Sequence, residues 1–238
     1  MSKRSITKYA LIAAVVTGVA AGAAFTRGRG QDVQTRPGAN EEHRRAVDAA
    51  RQGGIREAAK IKGSFVVTDF AKAEGVYSGL DSLASHSDVV IVGTPSQNVC
   101  RVTPDGRYIT TDYEVVAQEV FKGRVRKRDT VKVSLPGGRV QFEDGTSAEV
   151  RVPDFRKMED GKTYVLFLSE RKDNPGVFQV VGGPQGLFEL SADNVTVKSH
   201  GRGMDLVAQK YKDKDQREFL KEVREATRKW SKAAVCCN

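Results

Sequence analysis

The stretch DVVIVGTPSQNVCRV, residues 88–102, followed by Pro104-Asp105-Gly106 and then RYITTDYEVVAQEVF, residues 107–121, decides the fold. Its first part is apolar and β-branched, which suits a pleated, buried surface. The second part alternates over much of its length, through Tyr113 and Val115 and later Val120, with the period of two that a half-buried strand requires. Between them Pro104 presets its own φ and Gly106 accepts a positive one, a strong turn signal. Two strands with a turn between them are the expectation.

The same reading extends along the chain. TVKVSLP, residues 130–136, alternates. RVQFEDGTSAEVRV, residues 139–152, reads as a hairpin turning at Glu143-Asp144-Gly145. KTYVLFLSE, residues 162–170, reads as a buried strand, and Asn174-Pro175-Gly176 as the loop after it. GVFQVVGG, PQGLFEL and NVTVKS, within residues 176–199, supply the last short strands. Roughly seven to nine strands in about 110 residues, with a turn signal every 8–15 or so, predict an antiparallel barrel or sandwich. The strands are not separated by helices long enough for parallel crossovers, which disfavours an α/β fold.

Helical patterns flank this series. Residues 41–60, EEHRRAVDAARQGGIREAAK, have helix-forming composition, with Asn40 placed to cap them and Gly53-Gly54 splitting them into two short helices. Their apolar face is mostly alanine, a weak contribution to a core. Leu80, Leu83 and Ala84 lie at helical spacing in a further short helix. After Gly201 come MDLVAQKY and DQREFLKEVREATRKW, the latter capped by Asp213 or Asp215. In that last segment Phe219, Leu220, Val223, Ala226, Thr227 and Trp230 form one apolar stripe, which predicts an amphipathic helix packed on the barrel.

The N-terminus has a different character. Lys3, Arg4 and Lys8 precede ALIAAVVTGVAAGAAF, residues 10–25, which carries no charge and contains Ala21-Gly22-Ala23. Basic, apolar and small-residue regions in that order make a secretory signal. The apolar run is shorter than the roughly 20 residues a membrane-spanning helix needs. The alternative is an uncleaved anchor, with Arg27 and Arg29 just behind it. The expected organisation is a signal peptide at 1–24, a polar linker with short helices at 25–77, a barrel at 78–201 and packed helices at 202–238. The expected location is periplasmic or secreted.

The formal net charge is +9, and it falls to +6 without the three cations of the signal. That bias favours anionic surfaces without specifying a partner. Three cysteines occur, Cys100, Cys236 and Cys237, with no CxxC pair and no zinc-type spacing. In an oxidising compartment Cys100 is open to a disulfide with Cys236 or Cys237, and the other reading is three free thiols.

Catalytic signatures are missing. The three histidines, His43, His86 and His200, are scattered, and neither G-x-S-x-G, H-E-x-x-H nor a P-loop occurs. An enzyme would need a site of carboxylates dispersed over distant turns. No cofactor is expected. Two segments remain as candidates for contact with a partner. Gly182-Gly183-Pro184-Gln185-Gly186 allows close backbone approach, as a ligand loop or simply as a tight bend between strands. Lys122, Arg124, Arg126, Lys127 and Arg128 place five cations in seven residues, to meet anionic groups or merely as a solvated loop. Aromatics interleaved to stack bases are missing, and export also argues against a nucleic-acid partner.

Ser87-Asp88-Val89-Val90-Ile91-Val92-Gly93, then Tyr113-Glu114-Val115 leading to Phe121-Lys122-Gly123, then Gly161-Lys162-Thr163-Tyr164-Val165-Leu166-Phe167-Leu168, resemble the netrin-like module shared with tissue inhibitors of metalloproteinases. Val180 to Phe188 also resembles exported bacterial proteins with this pattern. The resemblance spans about residues 80–190. It implies a small antiparallel OB-type β-barrel with flanking helices, and so a mainly β protein. It also implies a regulator or inhibitor of an exported protease as one alternative role. The inhibitors hold a protease zinc through an N-terminal cysteine, and residues near Ala24–Phe25 include none. The inhibitory residues are therefore not carried over. The leading expectation is a non-enzymatic binding module whose partner is another exported protein or an envelope component. It would meet membrane only through an uncleaved signal segment.

Overall fold

A computed structural model describes residues 37–70, 75–153, 155–193, 196–200 and 206–233. The expected signal peptide at 1–24 and the cysteines Cys236 and Cys237 lie outside these residues. Within them the protein is mainly β, with two mixed sheets and five helices.

The quoted stretch forms a long hairpin. Strands β2 (Val89–Val102) and β3 (Ile109–Lys122) pair antiparallel with three register shifts. Such irregularities raise local twist and help a sheet curl. β7 (Thr163–Glu170) pairs with the other side of β2, and β4 (Thr130–Pro136) with the other side of β3. The short β8 (Val177–Val180) runs parallel to β4 and antiparallel to β7. These pairings bring the sheet back upon itself as a partly closed ring, β7-β2-β3-β4-β8. β9 (Leu187–Leu190) and β10 (Val197–Ser199) continue the sheet outward from β7.

Alternation along β2, β3 and β7 divides the apolar residues between two layers. Ile91, Tyr113, Val115, Val133, Tyr164, Leu166 and Leu187 turn into the ring and fill it. Val90, Val92, Val165, Phe167 and Phe188 turn outward beneath the helices α3 (Leu80–His86), α4 (Leu206–Tyr211) and α5 (Gln216–Ala233). Phe219 of α5 is fully buried there, its ring 4.8 Å from Phe188 and 5.5 Å from Tyr211. Asp215 begins α5, its Oδ1 accepting hydrogen bonds from the backbone N–H groups of Arg217 and Glu218 at 2.9 and 3.0 Å.

Four expectations are corrected. Residues 25–77, read as linker with short helices, contain a strand as well. β1 (Ser64–Thr68) pairs in parallel with β6 (Ser147–Arg151). The hairpin at 139–152 forms as expected, from β5 (Gly138–Gln141) and β6. It joins β1 in a separate three-stranded sheet, outside the ring. The cause is burial. Helices α1 (Pro37–Gly53) and α2 (Ile55–Lys62) press Ala46, Ile55, Ala58 and Ala59 against Phe65, Ala148 and Val150, so the alanine face is a true core surface. Small side chains let the helices approach the sheet closely. Finally, Trp230 ends the apolar stripe of α5 but is 42% exposed, lining an open cleft with Lys122 and Phe178 in place of the closed core.

Phe219→Ala is expected to lower the unfolding free energy by about 3–5 kcal/mol, because it removes a large ring from a closed aromatic cluster. Val99→Ala, on an exposed strand face, should change it by no more than about 0.5 kcal/mol. Urea titration of both variants checks the pair.

Candidate functional site

The basic run closes the turn between β3 and β4. Lys122 is the last residue of β3, and its Nζ donates to the carbonyl oxygen of Ala84 at 2.8 Å, at the end of α3. Burial pushes its pKa down, and Asp88 opposes that shift. Lys122 thus serves a helix terminus. The remaining cations, Arg124, Arg126, Lys127 and Arg128, are exposed. Their loop is held by its own backbone. Arg128 N–H donates to Ala117 O at 2.7 Å, Ala117 N–H to Asp129 O at 2.9 Å, and Arg126 N–H to Asp129 Oδ2 at 2.8 Å. Arg128 takes φ of 77°, the left-handed geometry that turns the chain back into β4.

An open cleft of about 700 Å³ lies at the base of this loop. Lys122, Arg124 and Val125 form one wall, and Phe178 and Trp230 complete its apolar part. Two of its carboxylates accept backbone N–H groups. Asp88 Oδ2 accepts from Glu170 N–H at 2.9 Å, and Glu170 Oε1 from Gly176 N–H at 2.7 Å.

The glycine-rich segment is elsewhere, and none of its residues lines that cleft. Gly183–Gly186 form one turn of 3-10 helix between β8 and β9, with Pro184, Gln185 and Gly186 buried. The Gln185 side chain accepts from Tyr77 N–H at 3.1 Å and donates to Gly75 O at 3.3 Å. A Cβ on Gly182, at φ of 68°, would lie 2.7 Å from the Tyr77 ring. The protein's own segment around residues 75–77 therefore occupies the face that a ligand would need. The geometry is that of the tight bend.

Sequence reasoning passed over a second group of residues. Glu189 is the carboxylate of β9, opposite Lys198 on β10 and Tyr164 on β7. Its Oε1 lies 3.2 Å from Lys162 Nζ and 3.7 Å from Lys198 Nζ, and its Oε2 lies 3.8 Å from His200 Nε2. His200 is buried, and its ring meets that of Tyr164 edge-on at 5.8 Å. Desolvation lowers the imidazole pKa below 6.5, and the Glu189 charge only partly offsets this. Glu189, Lys162 and Lys198 also line an open cleft of about 640 Å³ with Glu119 and Gln216. There Glu119 is engaged by Arg224 at 3.0 Å. The signal in the sequence was the lone acid inside the apolar strand GLFEL, because a buried carboxylate needs cations close by.

Among the described residues, no three His, Cys, Asp or Glu side chains group to hold a metal. Cys100 is half-buried, its Sγ 3.4 Å from Thr111 Oγ1. The disulfide expected with Cys236 or Cys237 involves partners outside the described residues. No family model matches the chain, and no curated protein matches it.

Gly186→Ala is expected to destabilise the protein by about 1–3 kcal/mol, since overpacking forces the surroundings to shift. The new Cβ would fall 2.4 Å from Val181 O, and thermal unfolding reads the cost. His200 sets a second expectation. With its folded pKa below 6.5, the unfolded chain takes up a proton first as the pH falls. Stability is therefore lost on going from about pH 7 downward, until the folded imidazole also protonates. His200→Gln should show a shallower fall of Tm over that window than the native chain.

Proposed function

We propose that the chain is an exported, non-enzymatic binding module that holds another exported protein or an envelope component on its surface. Export rests on the charged, apolar and small-residue order of residues 1–24. An OB-type barrel is supported by strand order. Read from β2, the ring runs β2-β3-β4-β8-β7 and returns to β2, with one parallel contact, between β4 and β8. The five-stranded OB-type barrel has that order, and the netrin-like resemblance implies the same barrel.

The observation that carries the binding reading is a contrast between inside and outside. Tyr113, Tyr164, Leu166 and Leu187 fill the ring, so a small molecule has no space there. On the outside, a loop stiffened by its own hydrogen bonds presents four exposed cations beside an open cleft containing Trp230. A rigid, charged surface loop with an aromatic neighbour suits recognition better than turnover. An enzyme with dispersed carboxylates finds less support, since Glu119 and Glu189 share a cleft but are each already matched by cations.

The test is capture from a detergent-solubilised cell envelope by the native chain and by a chain with Ser at 124, 126, 127 and 128. The native chain is expected to capture one component saturably, and the serine variant at least tenfold less. Equal capture by both, or saturable turnover in a panel of peptide, ester, glycoside and phosphate substrates, would overturn the reading.

A further inference from the structure

We infer that the face formed by the β3–β4 loop and the end of α5 docks on an anionic bilayer surface. The inference deepens the binding-module reading and rests on it. This contact would be made by the folded domain, independently of the apolar segment at residues 10–25.

Three observations converge on this face. The first is charge without partners. Among the described residues, none of Arg124, Arg126, Lys127 and Arg128 takes part in an ion pair. On the neighbouring α5, by contrast, Arg224 is matched by Glu119 and Lys229 by Asp81. The second is an exposed indole. Trp230 is the only tryptophan of the chain, stands 42% exposed, and shares the cleft with Arg124 and Val125. Tryptophan favours the headgroup level of a membrane, where its ring is half in apolar and half in polar surroundings. The third is that the acids of this face are occupied. Asp129 accepts a backbone N–H within the loop, Glu170 one from Gly176, and Asp88 one from Glu170 across the sheet, so each acid is held in place while the four loop cations outnumber them.

Charge complementarity selects the occupant. Four cations within five residues, fixed on a tight turn, match a surface of closely spaced negative charge. The apolar part of the face is small, essentially Trp230, Val125 and Phe178. A protein partner would need a larger complementary apolar centre. A single-stranded nucleic acid would need several aromatic platforms. A lipid headgroup layer needs only attraction of charge and an interfacial aromatic anchor.

The sole tryptophan makes the test specific. The full chain is mixed with vesicles of phosphatidylglycerol and phosphatidylcholine in equal parts, and with vesicles of phosphatidylcholine alone. The segment around residues 10–25 is flanked by Lys3, Arg4, Lys8, Arg27 and Arg29 and would itself favour anionic vesicles, so the domain is read from the difference between the native chain and a variant altered only in the loop. The expected result is sedimentation and a blue shift of Trp230 fluorescence with the anionic vesicles, both weakened by high salt. Each cation removed should weaken binding about fivefold, so Arg124→Ser, Arg126→Ser, Lys127→Ser and Arg128→Ser together should lose on the order of a hundredfold or more. An unchanged Tm for that variant shows that its fold is intact. Trp230→Phe, in contrast, should keep salt-sensitive sedimentation at reduced affinity.

Equal binding to both vesicles, or binding indifferent to the four serines, overturns the inference. So does loop-dependent binding to soluble polyphosphate in place of vesicles, which would assign the face to a dissolved acidic polymer. If vesicles fail while envelope capture still depends on the loop, the bilayer inference falls and the binding module stands. If both fail, both fall.

Discussion

The structure depends on one strand with three neighbours. β7 pairs with β2 along one edge, and its other edge is divided between β9 near its start and β8 near its end. Both of its faces are covered, with Tyr164, Leu166 and Leu168 inside the ring and Val165 and Phe167 under the helices. A continuous apolar run is the sequence form of a strand buried on both sides. Exchange any one of these five for a polar side chain and an unsatisfied group enters one core or the other. The ring, the two-strand extension and the helical layer all hang on this segment.

Much of the β architecture was legible because it is written at short range. Alternation in β3 and β4, and Gly at turns with positive φ, announce themselves within a few residues. β1 was not legible. SFVVT is five residues long, lies beside helices, and owes its pairing to β6, far along the chain. The alanines of α1 and α2 misled for a related reason. Their apolar area is small in isolation, and they become core only because a sheet approaches closely enough to use them. Trp230 shows the converse, since periodicity assigns a face to a helical residue without saying how deeply each turn of that face is covered.

The candidate surface was half legible. The cation run stood out in the sequence, and its solvated position between two strands follows from its composition. Its neighbours came from three distant segments, around residues 88, 170 and 230, and no local pattern announces such a gathering. The glycine-rich bend drew notice for its composition, yet its partners are Tyr77 and Gly75, more than a hundred residues earlier. The Glu189–His200 pairing is of the same kind. Each residue looks ordinary alone, and only the register of β9 with β10 and β7 makes a charge network of them.

The parallel pairing of β1 with β6 has a consequence for how the chain reaches this state. Ser64 meets Ser147 across 83 residues, and the whole hairpin of β2 and β3 lies between them. Contacts of such long separation form late, because the intervening loop must close before they stabilise anything. Until β6 arrives, Phe65 and the alanine faces of α1 and α2 have only part of their cover, from Ile109 and its neighbours at the β2–β3 turn. If the chain is exported as proposed, this amino-terminal part is the first to emerge and waits longest for its full shelter. It would then be the part most in need of a holding chaperone and the first that a protease in the receiving compartment meets.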